Sequence, residues 1–139
     1  MNHKTSFWVV RIAIGTSMFA HGLVRLPKLE AFSQGLVNAF AQSMLPEVLI
    51  RPFSYALPLA EFTVGLLLIL GLFTRLAALA TAAILIVLVL GSGLIENWDA
   101  ISAQLLHIAF VAYLLHHLDN NAFAIDNIIH RKKQAGSKR

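Results

Sequence analysis

The sequence contains no cysteine and little charge, and both features limit what the chain can be. Without thiols it has no disulfide, no thiolate zinc site, no iron–sulfur cluster and no covalently attached c-type haem. Only 13% of its 139 residues are charged, whereas 58% are hydrophobic. Soluble domains carry about 25% charged residues. Because so few charges cannot cover the surface of a water-soluble fold, we predict a membrane protein.

Four long apolar runs indicate membrane-spanning helices. Each run is close to the roughly 20 residues that cross about 30 Å of hydrocarbon. We predict spans at about 7–25, 53–73, 75–95 and 98–118. These spans form one domain, 1–130, an all-α membrane protein built as a four-transmembrane-helix bundle. A basic cytoplasmic tail follows at 131–139.

An amphipathic segment lies between the first two spans and is too polar to cross the membrane. Over about 29–45, apolar side chains recur at every fourth residue, while amide and carboxylate side chains share another face. This pattern is typical of a helix that lies in the membrane interface. We predict an amphipathic interfacial helix between helices 1 and 2, ending before Pro46.

The placement of lysine and arginine predicts the orientation of the bundle. With both termini inside, eight cations lie on the inner side and three on the outer side: Lys4, Arg11, Arg75, Arg131, Lys132, Lys133, Lys138 and Arg139 against Arg25, Lys28 and Arg51. We expect a multi-pass protein of the bacterial cytoplasmic (inner) membrane, with N- and C-termini cytoplasmic. Because the cations lie at helix ends and in the tail, we expect the lipid bilayer as their partner and no nucleic acid.

Four polar residues fall deep inside the predicted spans. At 1.5 Å per helical residue, His21, Glu61 and His107 lie within about 5 Å of one depth. Gln104 precedes His107 by one helical turn. Polar groups at membrane depth usually face the bundle interior. We therefore predict a polar intramembrane site formed by His21, Glu61, Gln104 and His107.

The residue types leave several functions open for this site. A quinone pocket needs only hydrogen-bonding groups beside an apolar slot, and a proton or solute pathway uses the same groups. A haem between His21 and His107, or a metal held by both histidines and Glu61, is also compatible with the residue types. Nothing else in the sequence marks haem or metal, so we expect neither, and we assign no catalytic residue. Structural hydrogen bonds between helices are a further alternative.

Three arginines are expected to support the site: Arg11, Arg25 and Arg75. Arg11 lies near the inner edge of the first span, where it either snorkels to the surface or pairs with helix termini. Arg75 lies in the inner turn between the second and third spans, and Arg25 at the outer end of the first.

The first two spans carry a set of residues in a characteristic order. They appear in "RIAIGTSMFAHGLVRLPKL" and "LAEFTVGLLLILGLFTRLAALA", as Arg11, Gly22, Glu61, Gly65, Gly71, Thr74 and Arg75. Their order and spacing resemble the DoxX family of small bacterial membrane proteins, over roughly 8–118. The family commonly has lysine where this chain has Arg25, with Lys28 three residues later. Arginine does not deprotonate, so no role as a neutral amine is expected there.

The resemblance implies a four-helix membrane bundle. Some relatives are the membrane subunit of thiosulfate:quinone oxidoreductase, and others belong to redox stress assemblies. We therefore expect an accessory or quinone-contacting component of a membrane redox system, paired with a redox enzyme subunit, and not an enzyme on its own. One alternative is a small-solute or proton-coupled transporter, as a homo-oligomer because four helices enclose little volume. The other is a structural partner subunit without activity of its own.

Overall fold

The computed structural model describes residues 2–128, which form five α-helices joined by turns. The helices are α1 (His3–Arg25), α2 (Leu29–Ala39), α3 (Glu47–Leu70), α4 (Thr74–Leu94) and α5 (Trp98–His116). Four of them, α1, α3, α4 and α5, are long and apolar enough to cross a membrane. This confirms the predicted all-α fold with four spans. The basic tail predicted at 131–139 lies outside the described residues.

The helix ends differ from the predicted ones mainly around α2. The interfacial helix was predicted over 29–45 but ends at Ala39, because the following residues form turns in which the Ser43 hydroxyl donates to the Phe40 carbonyl at 2.8 Å. Side chains that bond to nearby backbone in this way compete with helix formation. α3 begins at Glu47, six residues before its predicted start. Pro46 immediately precedes it, with a φ of −71° that suits a helix start.

The turns between spans are fixed by residues suited to helix ends. Gly71 ends α3 in the left-handed conformation, with φ of 65°, which glycine adopts without steric cost. Asp126 comes from beyond α5 to cap α4: its carboxylate accepts from the backbone N–H of Phe73 at 2.7 Å and of Thr74 at 2.9 Å. Residues near the C-terminal end of the described chain therefore fold back onto the α3–α4 turn.

α1 and α3 pack closely because glycines line their contact. A Cβ atom added at Gly65 would overlap the backbone nitrogen of Phe19, and one added at Gly22 would overlap that of Phe62. At Gly15 it would lie 2.9 Å from the backbone nitrogen of Ile69. Small residues permit such close approach between membrane helices. The glycines of α1 and α3 therefore set how closely these two helices approach each other.

The hydrophobic core lies in the middle of the bundle. It is formed by buried side chains from α1, α3, α4 and α5: Ile14, Met18, Val64, Leu68, Ala77, Ala78, Leu85 and Val111. We call the end of the bundle that carries Gly71 the inner end and the end that carries α2 the outer end. Arg11 lies toward the inner end, and a polar cavity lies toward the outer end. The core therefore separates two polar regions.

Candidate functional site in the outer half of the bundle

A cavity of about 370 Å³ lies on the outer side of the core, and all five helices contribute to its wall. Most of the wall is apolar, including Met18, Leu57 and Leu85. Three apolar side chains from α2 and the residue directly after it also line the cavity: Phe32, Leu36 and Phe40. The polar residues of the wall are Ser17, His21, Arg25, Glu61, Ser92, Asn97, Gln104 and His107. All four residues predicted for the polar site therefore line one cavity.

Glu61 is paired with Arg25 across the α1–α3 contact. The Arg25 Nη1 donates to Glu61 Oε2 at 2.5 Å, with side-chain exposure of 27% for the arginine and 3% for the glutamate. The guanidinium also lies over the ring of Phe32, 4.8 Å from its centroid. Arg25 thus connects the carboxylate of α3 to the apolar face of α2. Among the described residues, the Glu61 carboxylate is therefore bonded to Arg25 and not to His21, with which it shares the predicted polar site.

His107 is held at both ring nitrogens. Its Nε2 lies 2.8 Å from the Ser17 hydroxyl, and its Nδ1 lies 2.8 Å from the carbonyl oxygen of Ala103. Ser17 was not predicted as a site residue, since helical serines commonly bond to their own backbone. The available signal was its spacing: Ser17, His21 and Arg25 follow one another at every fourth residue of α1.

Gln104 reaches across to α4. Its Nε2 donates to the Ser92 hydroxyl oxygen at 2.9 Å, and its Oε1 is buried without a partner among residues 2–128. Ser92 is the second site residue that sequence reasoning missed. The contact ties α5 to the outer end of α4.

His21 lines the same cavity and forms no hydrogen bond with the described residues. It lies one turn inward of Arg25, on the cavity side of α1, and its ring is exposed. Arg25 and His21 are therefore the two groups of α1 at the cavity that carry N–H hydrogens for a ligand.

The other two predicted arginines lie away from the cavity. Arg11 is only 1% exposed and binds two backbone carbonyls: Nη1 donates to Leu68 near the end of α3 at 2.9 Å, and Nη2 donates to Phe123, which lies beyond α5. Of the two roles open to Arg11, the structure has the pairing with a helix terminus. Gly71 lies directly against the guanidinium, so a side chain there would collide with it. Arg75 is exposed at the start of α4.

The hydrogen-bond pattern bears on which groups the cavity can hold. Within residues 2–128, no three histidine, aspartate or glutamate side chains come together as a metal site requires. A haem ligated by His107 would have to displace either Ser17 or the Ala103 carbonyl from its ring. The arrangement fits an uncharged organic ligand, which needs an apolar wall and a few placed hydrogen bonds.

Comparison with known proteins gives one match. A family model described as DoxX matches residues 7–93, which is more than half of the chain. The match covers α1 to α4 and includes Arg11, Arg25 and Glu61, but not α5. No curated protein and no solved structure matches the chain.

Proposed function

The chain belongs to the DoxX family and is a small integral membrane protein, and on that premise we propose that it is a quinone-contacting accessory component of a membrane redox system. The observation that carries the proposal is the cavity between the five helices, in which an otherwise apolar wall carries the polar side chains of Arg25, Glu61, His21, Gln104 and His107. It would receive the ring of a quinone, while an associated enzyme subunit carries out the redox chemistry.

The cavity has the size and lining that such a ligand requires. Its volume of about 370 Å³ lies within the usual range of small-molecule pockets, roughly 300–1,000 Å³. An aromatic and aliphatic wall suits a flat ring with an apolar tail. Arg25 and His21 offer hydrogens to a ligand carbonyl, while Glu61 holds Arg25 in place. This combination supports a quinone over a charged solute.

The position of the core supports binding over transport. Inward of the cavity, buried side chains such as Ile14, Leu68 and Val111 fill the space between the helices. A transported polar solute or proton would have to cross this layer before reaching Arg11 at the inner end. Transport would therefore require a rearrangement of the core, whereas binding does not.

We place the protein in the bacterial inner membrane, with both termini in the cytoplasm. The lysine and arginine distribution supports this orientation. The cavity then lies in the outer half of the membrane. A second copy of the chain or a redox enzyme subunit would pack against the exposed apolar faces of α4 and α5.

Quinone binding is tested through the two tryptophans, which lie at opposite ends of the bundle. Trp98 begins α5, between the cavity residues Asn97 and Ala100, while Trp8 lies near the inner end of α1. In a Trp8→Phe protein in lipid nanodiscs, we expect decylubiquinone to quench Trp98 saturably. In a Trp98→Phe protein, the remaining Trp8 should show only unsaturable quenching by quinone dissolved in the lipid.

Glu61→Gln is the decisive variant, because it releases Arg25 from its position. We expect about tenfold weaker binding, the equivalent of one charge-assisted hydrogen bond. Thr63→Ala is the matched control on the same helix, since Thr63 is exposed and bonds only to the Leu59 carbonyl. Equal or negligible responses of Trp98 in wild type and Glu61→Gln would overturn the quinone site.

The accessory role has its own test. Purification in mild detergent should retain a redox enzyme subunit that reduces added quinone, and it should do so equally in wild type and Thr63→Ala. A chain that purifies alone and still carries solute or proton flux in proteoliposomes, lost in Glu61→Gln, would favour transport instead.

A further inference from the structure

The hydrogens around His107 have fixed directions. The Ala103 carbonyl can only accept, so His107 Nδ1 carries the hydrogen of the neutral ring and donates it at 2.8 Å. His107 Nε2 is then an acceptor, and the hydroxyl of Ser17 donates its only hydrogen to it, also at 2.8 Å. Ser17 is left with lone pairs alone to offer a ligand.

Gln104 adds a second acceptor on the same helix as His107. Its amide nitrogen is committed to Ser92 at 2.9 Å, while its Oε1 is buried with no partner among residues 2–128. A buried acceptor without a donor is unfavourable, by more than a satisfied bond contributes. Because Gln104 lines the cavity, a ligand hydroxyl that reached this oxygen would satisfy it.

The other polar groups that α1 presents to the cavity supply hydrogens. The Arg25 guanidinium carries only donors, and the ring of His21, which forms no hydrogen bond with residues 2–128, offers an N–H. The Glu61 carboxylate beside them is already paired with Arg25. A ligand that lies along α1 therefore meets donors from Arg25 and His21 and lone pairs from Ser17. An oxygen at the Ser17 side must bring its own hydrogen, whereas an oxygen at the Arg25 side need not.

We propose that the cavity distinguishes the two redox forms of its ligand and binds the hydroxyl-bearing quinol more tightly than the quinone, a selectivity that rests on the proposed function. A quinone carries two carbonyl acceptors and no donor, so one of its oxygens would face the lone pairs of Ser17. A quinol hydroxyl donates to Ser17, and its other hydroxyl oxygen still accepts from Arg25 or His21. The energy of one such mismatch corresponds to about a tenfold difference in affinity.

Competition between the two forms tests this selectivity. In the Trp8→Phe protein, decylubiquinone is bound first, and decylubiquinol is then added without oxygen at about pH 8, where histidine rings are neutral. Recovery of Trp98 fluorescence reports displacement. We expect the quinol to bind about tenfold more tightly.

Two variants separate hydrogen-bond direction from a merely structural role. In His107→Leu the Ser17 hydrogen is freed to donate to a quinone carbonyl, so the preference should disappear. In Ser17→Ala the lone pair of His107 Nε2 itself faces the cavity, so the preference should persist. Thermal unfolding in the same nanodiscs confirms that each variant is folded.

The outcomes are distinct. Equal affinity of the two forms in the wild type, or a preference that survives His107→Leu in the folded protein, would overturn the selectivity and leave the quinone site standing. If decylubiquinone does not quench Trp98 and decylubiquinol does not change its fluorescence, the quinone site and the selectivity are both overturned.

Discussion

At the scale of single residues, the two members of the Arg25–Glu61 ion pair differ in how much each needs the other to stay compensated. Glu61 is almost fully enclosed, with 3% exposure, whereas Arg25 keeps 27% of its side chain accessible. Removing one member of a buried pair leaves the other charge uncompensated, at a cost of about 3–5 kcal/mol. Among residues 2–128 the enclosed carboxylate bonds only to Arg25, whereas the partly exposed guanidinium can turn toward the cavity.

We therefore predict that Arg25→Met destabilises the fold by about 3 kcal/mol or more, and Glu61→Gln by clearly less. Thermal unfolding in detergent measures both. The double variant Arg25→Met, Glu61→Gln should recover much of the loss, because no charge then remains unpaired. A double variant as unstable as the sum of the single ones would show that the residues act independently.

Sequence reasoning located the site residues by depth but did not identify their partners. Depth follows from helical rise alone, so His21, Glu61 and His107 fell in one layer before any contact was known. The partner of Glu61 depends instead on how far a side chain reaches back along its helix. Arg25 lies a turn farther out than His21, and its length alone brings it to the carboxylate.

At the scale of helices, the contact between α1 and α3 is set by its glycines. A methyl group at Gly65 would overlap the backbone nitrogen of Phe19. Backbone atoms of a helix cannot move aside singly, so α1 would have to shift as a whole. Gly35 in α2 is a matched control, because nothing lies within 4 Å of a Cβ atom placed there.

We predict opposite effects for the same substitution at these two positions. Gly65→Ala should destabilise the protein by about 1–3 kcal/mol through overpacking. Gly35→Ala should stabilise it by about 0.5–1 kcal/mol, since alanine favours the helix. Chemical or thermal unfolding of the two variants in parallel measures the difference. Destabilisation at both positions would show that helical glycine content, rather than the α1–α3 contact, controls stability.

Helix ends were harder to predict where the hydrophobic spacing continues but hydrogen bonds or a proline set a different helix end. The apolar spacing of α2 continues to Met44, but the Ser43 hydroxyl bonds back to Phe40 and turns follow Ala39. α3 starts early because its first turns, although polar, follow a proline suited to a helix start. The return of Asp126 to the α3–α4 turn had no signal in periodicity, because it is a contact between residues 52 positions apart.

At the scale of the whole molecule, the absence of cysteine makes the orientation directly measurable. Gln42 lies in the turns after α2, and Lys4 lies in the first turn of α1, at the opposite end of the bundle. A single cysteine can therefore be introduced at each end, as Gln42→Cys or Lys4→Cys. With both termini cytoplasmic, a membrane-impermeant maleimide added to intact spheroplasts should label Gln42→Cys and not Lys4→Cys. Permeabilised membranes should label both. The reverse pattern in intact cells would invert the bundle and place the cavity in the inner half.

The way residues 121–128 close the inner end has a consequence for how the chain is made. Until Asp126 has been synthesised, the amides of Phe73 and Thr74 at the start of α4 lack their acceptor. Arg11 likewise lacks the Phe123 carbonyl as an acceptor until Phe123 has been synthesised. α1 therefore gains this contact only after 112 further residues have been synthesised. Assembly of the inner end is a late event in biogenesis, and a nascent chain halted before Phe123 would leave a buried guanidinium partly unsatisfied.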